Sequence, residues 1–399
     1  KSLYVANGDA DTISVVDVTS HRQTATIPVN RNGSKLVGAN PTGLAFSQDG
    51  KRLYVTNSGH NEVAVINVAT RKVIGDIPTG WYPTQVLAHG RKLSITSAKG
   101  LGAGPNNGPN HPNPTDPHDT AENQYSGSLI KGLLSTVSEP DAATLAKLTA
   151  TVEKNNTAND PARSSAVPNQ IGTTSSKIKH VIYIVRENRT FDQELGSNGR
   201  GNADPSLNLF GDESAPNTRA LARQFTTFDN FYADAEVSAN GWNWVSQANS
   251  NPWSEEMWPS NYSGRGAPYP AENNHPESRA KEHDSYFWEH LSKNNISFRN
   301  YGFYTTLDKK GKAHGVDKKI LDPNTDHDFI GWTLDCPDSA RSFAPMAKNC
   351  GPKSRVDEWK SDFNKQLAKG SVPTVQLVRF GNDHTQATKV GVPTPQAYV

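Results

Sequence analysis

The chain has 399 residues, enough for two or more hydrophobic cores, and its 41 Lys+Arg nearly cancel its 40 Asp+Glu. A net charge of +1 leaves no global field to draw in nucleic acid or an anionic membrane surface, and no apolar run approaches the length of a membrane span. With 34% hydrophobic residues but 31 Gly and 26 Pro, the composition argues against a helical bundle and for strands joined by many turns.

The chain opens at Lys1 directly into a strand-like run, Ser2 to Ala6, with no initiator Met or signal peptide ahead of it, so it reads as a processed or partial product. LYVANGDADTISVVDV (3–18) aligns without gaps to LYVTNSGHNEVAVINV (53–68), an offset of 50, and Ile27-Pro28 matches Ile77-Pro78 in the same register. A second repeated element sets PTGLAFSQDGKRLYVTN (41–57) against PTQVLAHGRKLSITS (83–97), the later copy two residues shorter in its turn. Each copy reads as a strand, a polar turn with Asp, Asn or Gly, and a strand of alternating Val and Ile. Repeats of this kind with a period of about 40 to 50 residues signal propeller blades. The stretch resembles the YVTN family of β-propellers, whose signature stands here as Tyr54-Val55-Thr56-Asn57. Only about two and a half blades are present, and a closed propeller needs about four or more. Earlier blades are therefore missing from the chain, or a partner covers an exposed blade face.

Residues 98–125 are too rich in Gly, Pro and Asn to fold alone, and His111, His118, Asp116 and Asp119 in them read as a solvated loop rather than a metal site. SGSLIKGLLSTV (126–137) suits a strand or a short helix. Ser138-Glu139-Pro140-Asp141 followed by AATLAKLTATVEKN reads as a capped helix. Residues 154–176 are linker-like. The organisation expected is blades over 1–105, loop, helix and linker over 106–176, and a second domain over 177–399.

From Lys177 the grammar changes. Short apolar strands are expected at 180–185 and 372–379, the first with the composition of a buried parallel strand. SYFWEHLSKN (285–294) and RVDEWKSDFNKQLAKG (355–370) read as helices; the second carries Val356, Trp359, Phe363 and Leu367 at helical spacing and stops at Gly370. A helix followed directly by a buried strand is α/β architecture.

Three segments carry chemistry. The first strand stops at Arg186-Glu187-Asn188-Arg189-Thr190, delivering a carboxylate, an amide and a hydroxyl to a strand end, where open α/β sheets build their sites. The hard oxygens of Glu187 and Asn188 suit a divalent cation. In DNFYADAEVSANGWNW (229–244), Ser238 sits in a small polar turn after a strand-like run, flanked by Glu236 and Asn240. Its hydroxyl is a weak nucleophile unless a base or a metal activates it. In VQLVRFGNDHT (375–385) another strand empties into Asp383-His384, an oxygen and imidazole pair suited to metal ligation. Two strands ending in ligand-type residues, with a hydroxyl between them, fit metal-assisted attack on phosphorus.

Residues 177–399 resemble the phosphoesterase family of bacterial phospholipases C and acid phosphatases, within the alkaline phosphatase superfamily. The family opens with a strand followed by Glu-Asn-Arg-Ser/Thr-Phe-Asp, and Glu187 to Asp192 match each position. The whole chain is similar to bacterial fusions of a YVTN propeller with such a domain. The resemblance implies a multidomain protein: incomplete propeller blades, then a doubly wound, alkaline-phosphatase-like α/β domain that stops short at Val399, before further ligands the family carries. It implies hydrolysis of a phosphate ester, as a small molecule or a phospholipid. Glu187, Asn188, Asp383 and His384 would hold divalent metal (Zn, Mn, Mg or Ca), Ser238 would be the nucleophile with Thr190 as its competitor, and Asn243 would contact phosphate. The alternative is a non-catalytic extracellular binding or surface protein acting through its blades.

Cys336 and Cys350 are the only cysteines. A pair this close reads as one disulfide, worth roughly 3 kcal/mol and pointing to an oxidising, periplasmic or secreted setting, or else as two free thiols. Trp242, Trp244, Trp253, Trp258, Phe287 and Trp288 read as core packing. His275, His283, His290, His314 and His327 read as surface or loop residues, and Lys309, Lys310, Lys312, Lys318 and Lys319 as a solvated basic face.

Overall fold

The structure, a computed structural model, describes residues 1–30, 38–102, 130–156, 178–187, 189–213, 215–231, 233–248, 250–262, 264–272, 286–331, 336, 338, 350 and 352–381. Asn188, Asp383, His384, His111, His118, Asp116, Asp119, His275 and His283 lie outside these residues. By contacts the chain forms two compact units. The first comprises residues 1–165, 236–243 and 249–269, and the second 166–235, 244–248 and 270–399.

In chain order the first elements are β1 (Ser2–Asn7), β2 (Thr12–Asp17), β3 (Arg22–Pro28), β4 (Pro41–Phe46), β5 (Arg52–Asn57), β6 (Glu62–Asn67), β7 (Lys72–Pro78), β8 (Pro83–His89), β9 (Lys92–Ser97), β10 (Leu133–Ser138) and α1 (Ala142–Asn156). Then follow β11 (Val181–Arg186), α2 (Phe191–Leu195), α3 (Pro216–Gln224), α4 (Ser238–Gln247), α5 (Pro252–Tyr262), α6 (Phe287–Lys293), β12 (Phe298–Tyr301), β13 (Thr305–Leu307), β14 (Ala313–Gly315), α7 (Arg355–Ala368) and β15 (Val375–Phe380).

The first unit is built on antiparallel sheets: β1-β2-β3, the four-stranded meander β4-β5-β6-β7, and β8-β9-β10. The offset of 50 found in the sequence recurs in the backbone. Leu3 pairs with Val16 as Leu53 pairs with Ile66, and the register slips between Val15 and Val16 as it does between Val65 and Ile66. Asp11 and Asn61 both adopt left-handed φ, 50° and 55°, as do His21 and Arg71 at 55° and 56°. Asp and Asn tolerate that conformation better than other residues, which is why the polar turns repeat.

Strand alternation then builds the core. Leu53, Val55, Ala64 and Ile66 join Ile13, Val15 and Ile27 in one cluster. Their neighbours Tyr54, Val63 and Val65 point the other way, into a cluster with Ile77, Val86, Leu93, Ile95 and Leu145 of α1. The middle sheet is thus buried on both faces. The first sheet is not: Leu3 and Val5, the counterparts of buried Leu53 and Val55, are 53% and 39% exposed. These sheets are of the blade type, and they form no closed ring among the described residues. Residues 133–138 are strand, which resolves the ambiguity of that segment. Asp141 accepts a bond from the Thr144 backbone N–H at 2.8 Å, capping α1 as its sequence anticipates.

In the second unit β11, β15 and β12 form a parallel sheet with β15 in the centre. β15 is buried along its whole length, and α7 packs on it through Val356 and Trp359 beside Tyr301, Phe329, Val378 and Phe380. Ser354 caps α7 by accepting from Asp357 N at 3.2 Å, and Gly370 at φ 63° ends it. Leu367, expected on the buried stripe, is exposed. β11 also departs from expectation. It is an edge strand covered on one face only: Tyr183 packs against Phe287 and Phe303, while Ile182 and Ile184 alternate onto an exposed face. Its aliphatic run reads as two-sided burial, but position in the sheet decides burial. Trp288 is fully buried with Tyr286 and Tyr304, and Trp242 and Trp258 are buried as well, so these aromatics are core. Cys336 and Cys350 are joined as a disulfide, packed with Ala313 and Ile330. Among the described residues no helix is long and apolar enough to cross a membrane.

Candidate functional site

The parallel register sets Val181 opposite Val375 and Arg186 opposite Phe380, so β11 and β15 leave the sheet at one edge. Carboxyl ends of parallel strands are where open α/β sheets place their ligands. Glu187 stands at this edge, with one carboxylate oxygen 3.3 Å from Nη2 of Arg379. Arg379 lies on β15 and is 3% exposed; its Nη1 bonds the buried Glu272 carboxylate. One guanidinium thus serves two carboxylates.

The rest of the Glu187 to Asp192 run is held by local bonds. Arg186 donates to Thr218 at 2.8 Å. Arg189 lies over the Phe210 ring at 5.7 Å. Thr190 is the N-cap of α2: its hydroxyl oxygen accepts from Gln193 N while its own N–H donates to the Gln193 side chain, a reciprocal capping box. Asp192 accepts from Asp204 N at 3.0 Å.

Ser238 belongs to the first unit and is the first residue of α4, not a turn residue. The strand-like run before it pairs with no described strand. The helix wins because Gly241 N bonds Val237 O at 2.9 Å and Asn240 reaches back to accept from Val237 N at 3.1 Å, half of a capping box. The two residues that flank Ser238 in sequence anchor this start. Lys99 Nζ lies 2.9 Å from both Glu236 and Glu255, and the Asn240 amide donates to both carboxylates at 3.0 and 3.1 Å. Burial pulls the Lys99 ammonium down, but the two carboxylates outweigh it and hold Lys99 above its ordinary value. Asn243 is fully buried and donates to Ser254 Oγ at 2.7 Å, which commits its amide to packing α4 on α5.

An open cleft of about 360 Å³ is lined by Ser297, Arg299, Asp362, Gln366 and Pro373. It opens where β12 and β15 begin, the edge of a parallel sheet that α/β enzymes leave unused. Asp326, Asp328 and Glu358 converge, but Arg299, Lys312 and Lys353 already pair with them. A different cluster went unrecognised in the sequence: His314, Asp322 and His327 bring their ligand atoms within 4.8 Å of one another.

No protein-family model matches the chain, and no curated protein matches it. Solved structures with local likeness include the hydrazine synthase of Kuenenia stuttgartiensis, 21% identical over 24% of this chain and 26% of that one, with a TM-score of 0.21. They include the Cps50 (Swd1) β-propeller domain of Myceliophteria thermophila, 17% identical over 25% of this chain and 32% of that one, TM-score 0.23. U3-55K is 19% identical over 25% of this chain and 28% of its own, TM-score 0.21. The chain therefore spans about a quarter to a third of each of these proteins.

Proposed function

We propose that the chain is a metal-dependent hydrolase of phosphate esters that carries propeller-type blades and works in an extracytoplasmic compartment. The observation that carries this reading is the parallel pairing of β11 with β15. The strand ending in Glu187-Asn188 and the strand that runs on toward Asp383-His384 leave the sheet side by side, although Val181 and Val375 lie far apart in sequence. Those four residues would supply carboxylate, amide and imidazole donors of the kind that suit a divalent cation such as Zn, Mn, Mg or Ca. A bound cation would acidify a nearby hydroxyl and neutralise charge on the phosphate oxygens. The resemblance assigns the attacking hydroxyl to Ser238, with Thr190 as its competitor, and the ester oxygen would depart as that hydroxyl attacks phosphorus. The disulfide supports the oxidising compartment.

The test is hydrolysis of p-nitrophenyl phosphate, bis(p-nitrophenyl) phosphate and a chromogenic phosphatidylcholine analogue by the full chain. Turnover should vanish with chelator, return with added metal, and fall by about three orders of magnitude or more in Ser238→Ala. Glu187→Gln should lose metal and activity together. Chelator-insensitive turnover that survives Ser238→Ala would end the proposal. A second reading, a non-catalytic surface protein acting through its blades, is favoured by one observation, the exposed Leu3 and Val5 face of the first sheet. Folded, metal-loaded protein inert on all three substrates would support it.

A further inference from the structure

The segment from Gly302 to Ser354 carries few regular elements among its described residues. Its described elements are the short hairpin β13–β14 and one 3-10 turn, Asp322–Asn324. Within it Asp308, His314, Asp322 and His327 gather on the hairpin and the turn that follows. We propose that His314, Asp322 and His327 bind a zinc-type transition-metal ion that fastens the hairpin to this turn, a site separate from the one proposed at Glu187.

Three features point to a metal rather than to a solvated cluster. First, the spacing fits. His314 Nδ1 stands 3.2 Å from Asp322 Oδ1. Two ligands at ordinary zinc distances, set at a tetrahedral angle, lie about 3.4 Å apart. As a hydrogen bond to a carboxylate the same separation is long. Second, the other nitrogen of His327 is hydrogen-bonded to an oxygen acceptor, the arrangement that orients ligating histidines, and that of His314 faces a carboxylate just beyond hydrogen-bond reach. His327 Nδ1 meets the Ala313 carbonyl at 2.6 Å, leaving Nε2 to ligate, and His314 Nε2 lies 3.6 Å from Asp308 Oδ2. Asp308 is itself held by the N–H groups of Lys310 and Lys312, both at 2.8 Å. Third, the scaffold is built in advance. Asp322 Oδ1 accepts from Gly315 N at 2.8 Å, and a Cβ on Gly315 would stand 2.7 Å from Asp322 N, so only glycine lets hairpin and turn approach this closely.

Two imidazoles and a carboxylate select zinc and its neighbours over calcium or magnesium, and three protein ligands leave a fourth position to water. Among the described residues the Lys318 ammonium competes for this carboxylate, 3.7 Å from Asp322 Oδ2, while it donates to the Gly315 carbonyl at 2.8 Å. The disulfide partners Cys336 and Cys350 pack on Ala313, whose carbonyl orients His327, so metal and disulfide would staple one lobe.

The test strips the full chain with dipicolinate and titrates it with ZnCl2 by calorimetry, with metal content measured after desalting. His314→Ala/His327→Ala should retain one zinc equivalent fewer than the wild type, and Asp308→Asn should keep the stoichiometry but bind about 10- to 100-fold more weakly. Glu187→Gln should leave this equivalent in place, which separates the site from the hydrolase proposal. Should the double variant misfold, Co²⁺ titration of the wild type decides, since a tetrahedral nitrogen and oxygen site gives visible absorption. Equal zinc content in the wild type and a folded double variant, or wild type that shows no such absorption, overturns the inference.

Discussion

At the scale of single residues, the charges buried beside the parallel sheet are the sensitive points. Arg379 and Glu272 are both almost wholly buried, so removing the Glu272 charge takes the buried partner from a guanidinium that Glu187 meets at 3.3 Å. Glu272→Gln should destabilise the chain by about 3 kcal/mol or more in urea unfolding, whereas Asp49→Ala at an exposed turn should move the midpoint little. Lys99 gives a prediction with a pH signature. Its folded value is raised above the unfolded value of about 10.4. Its contribution is therefore complete below that pH and is lost only as the pH rises through the folded value. Lys99→Met should cost about 3 kcal/mol at pH 7 to 10, with the gap to wild type closing at higher pH. A gap that widens with alkalinity would contradict the pairing. Glu187 was legible as a carboxylate at a strand end. Its partner Arg379 was not, because the pair exists only through the register of two strands distant in sequence. His314 and His327 are hard to pair from the sequence for a similar reason: a turn separates them, and only the bonding of His327 to Ala313, next to His314, brings their rings to 4.5 Å.

At the scale of elements, the repeat carried most of the information. Strand alternation gave both faces of the middle sheet, and even the bulges and left-handed turns follow the offset of 50. The copies differ where their surroundings differ. Val15 pairs with Ala25, but Val65 pairs with Gly75, since α1 lies on β7. A Cβ on Gly75 would meet Leu145 at 2.6 Å and Thr149 at 2.7 Å. Gly75→Ala should push α1 off the strand and cost about 1–3 kcal/mol by thermal unfolding, whereas the reverse change, Ala25→Gly, should cost less than that. What could not be read was environment. The Val and Ile of β11 and the polar start of α4 carry propensities that the sheet edge and the Asn240 back-bond override.

At the scale of the whole molecule, the two units depend on different kinds of contact. The first rests on sheets whose strands are neighbours in sequence, and the second on a parallel sheet, a disulfide and the buried Arg355, which donates to Ile330 O at 2.7 Å and to Asp338 at 2.6 Å. Reducing the Cys336–Cys350 bond should lower stability by about 3 kcal/mol, read as a fall in the denaturant midpoint of the second unit while the first unit's transition stays put. Simultaneous loss of both transitions would show that the units unfold as one. The sheet of the second unit also sets a timetable. β11 hydrogen-bonds to β15 and to no other described strand, and β15 is synthesised almost two hundred residues later. At ribosomal speeds of about 5–20 residues per second, β11 waits about 10–40 s for its mate, long after the meanders upstream have closed. Through that interval an aliphatic segment stands unpaired on the nascent chain, which makes it the natural landing place for a holdase during biogenesis.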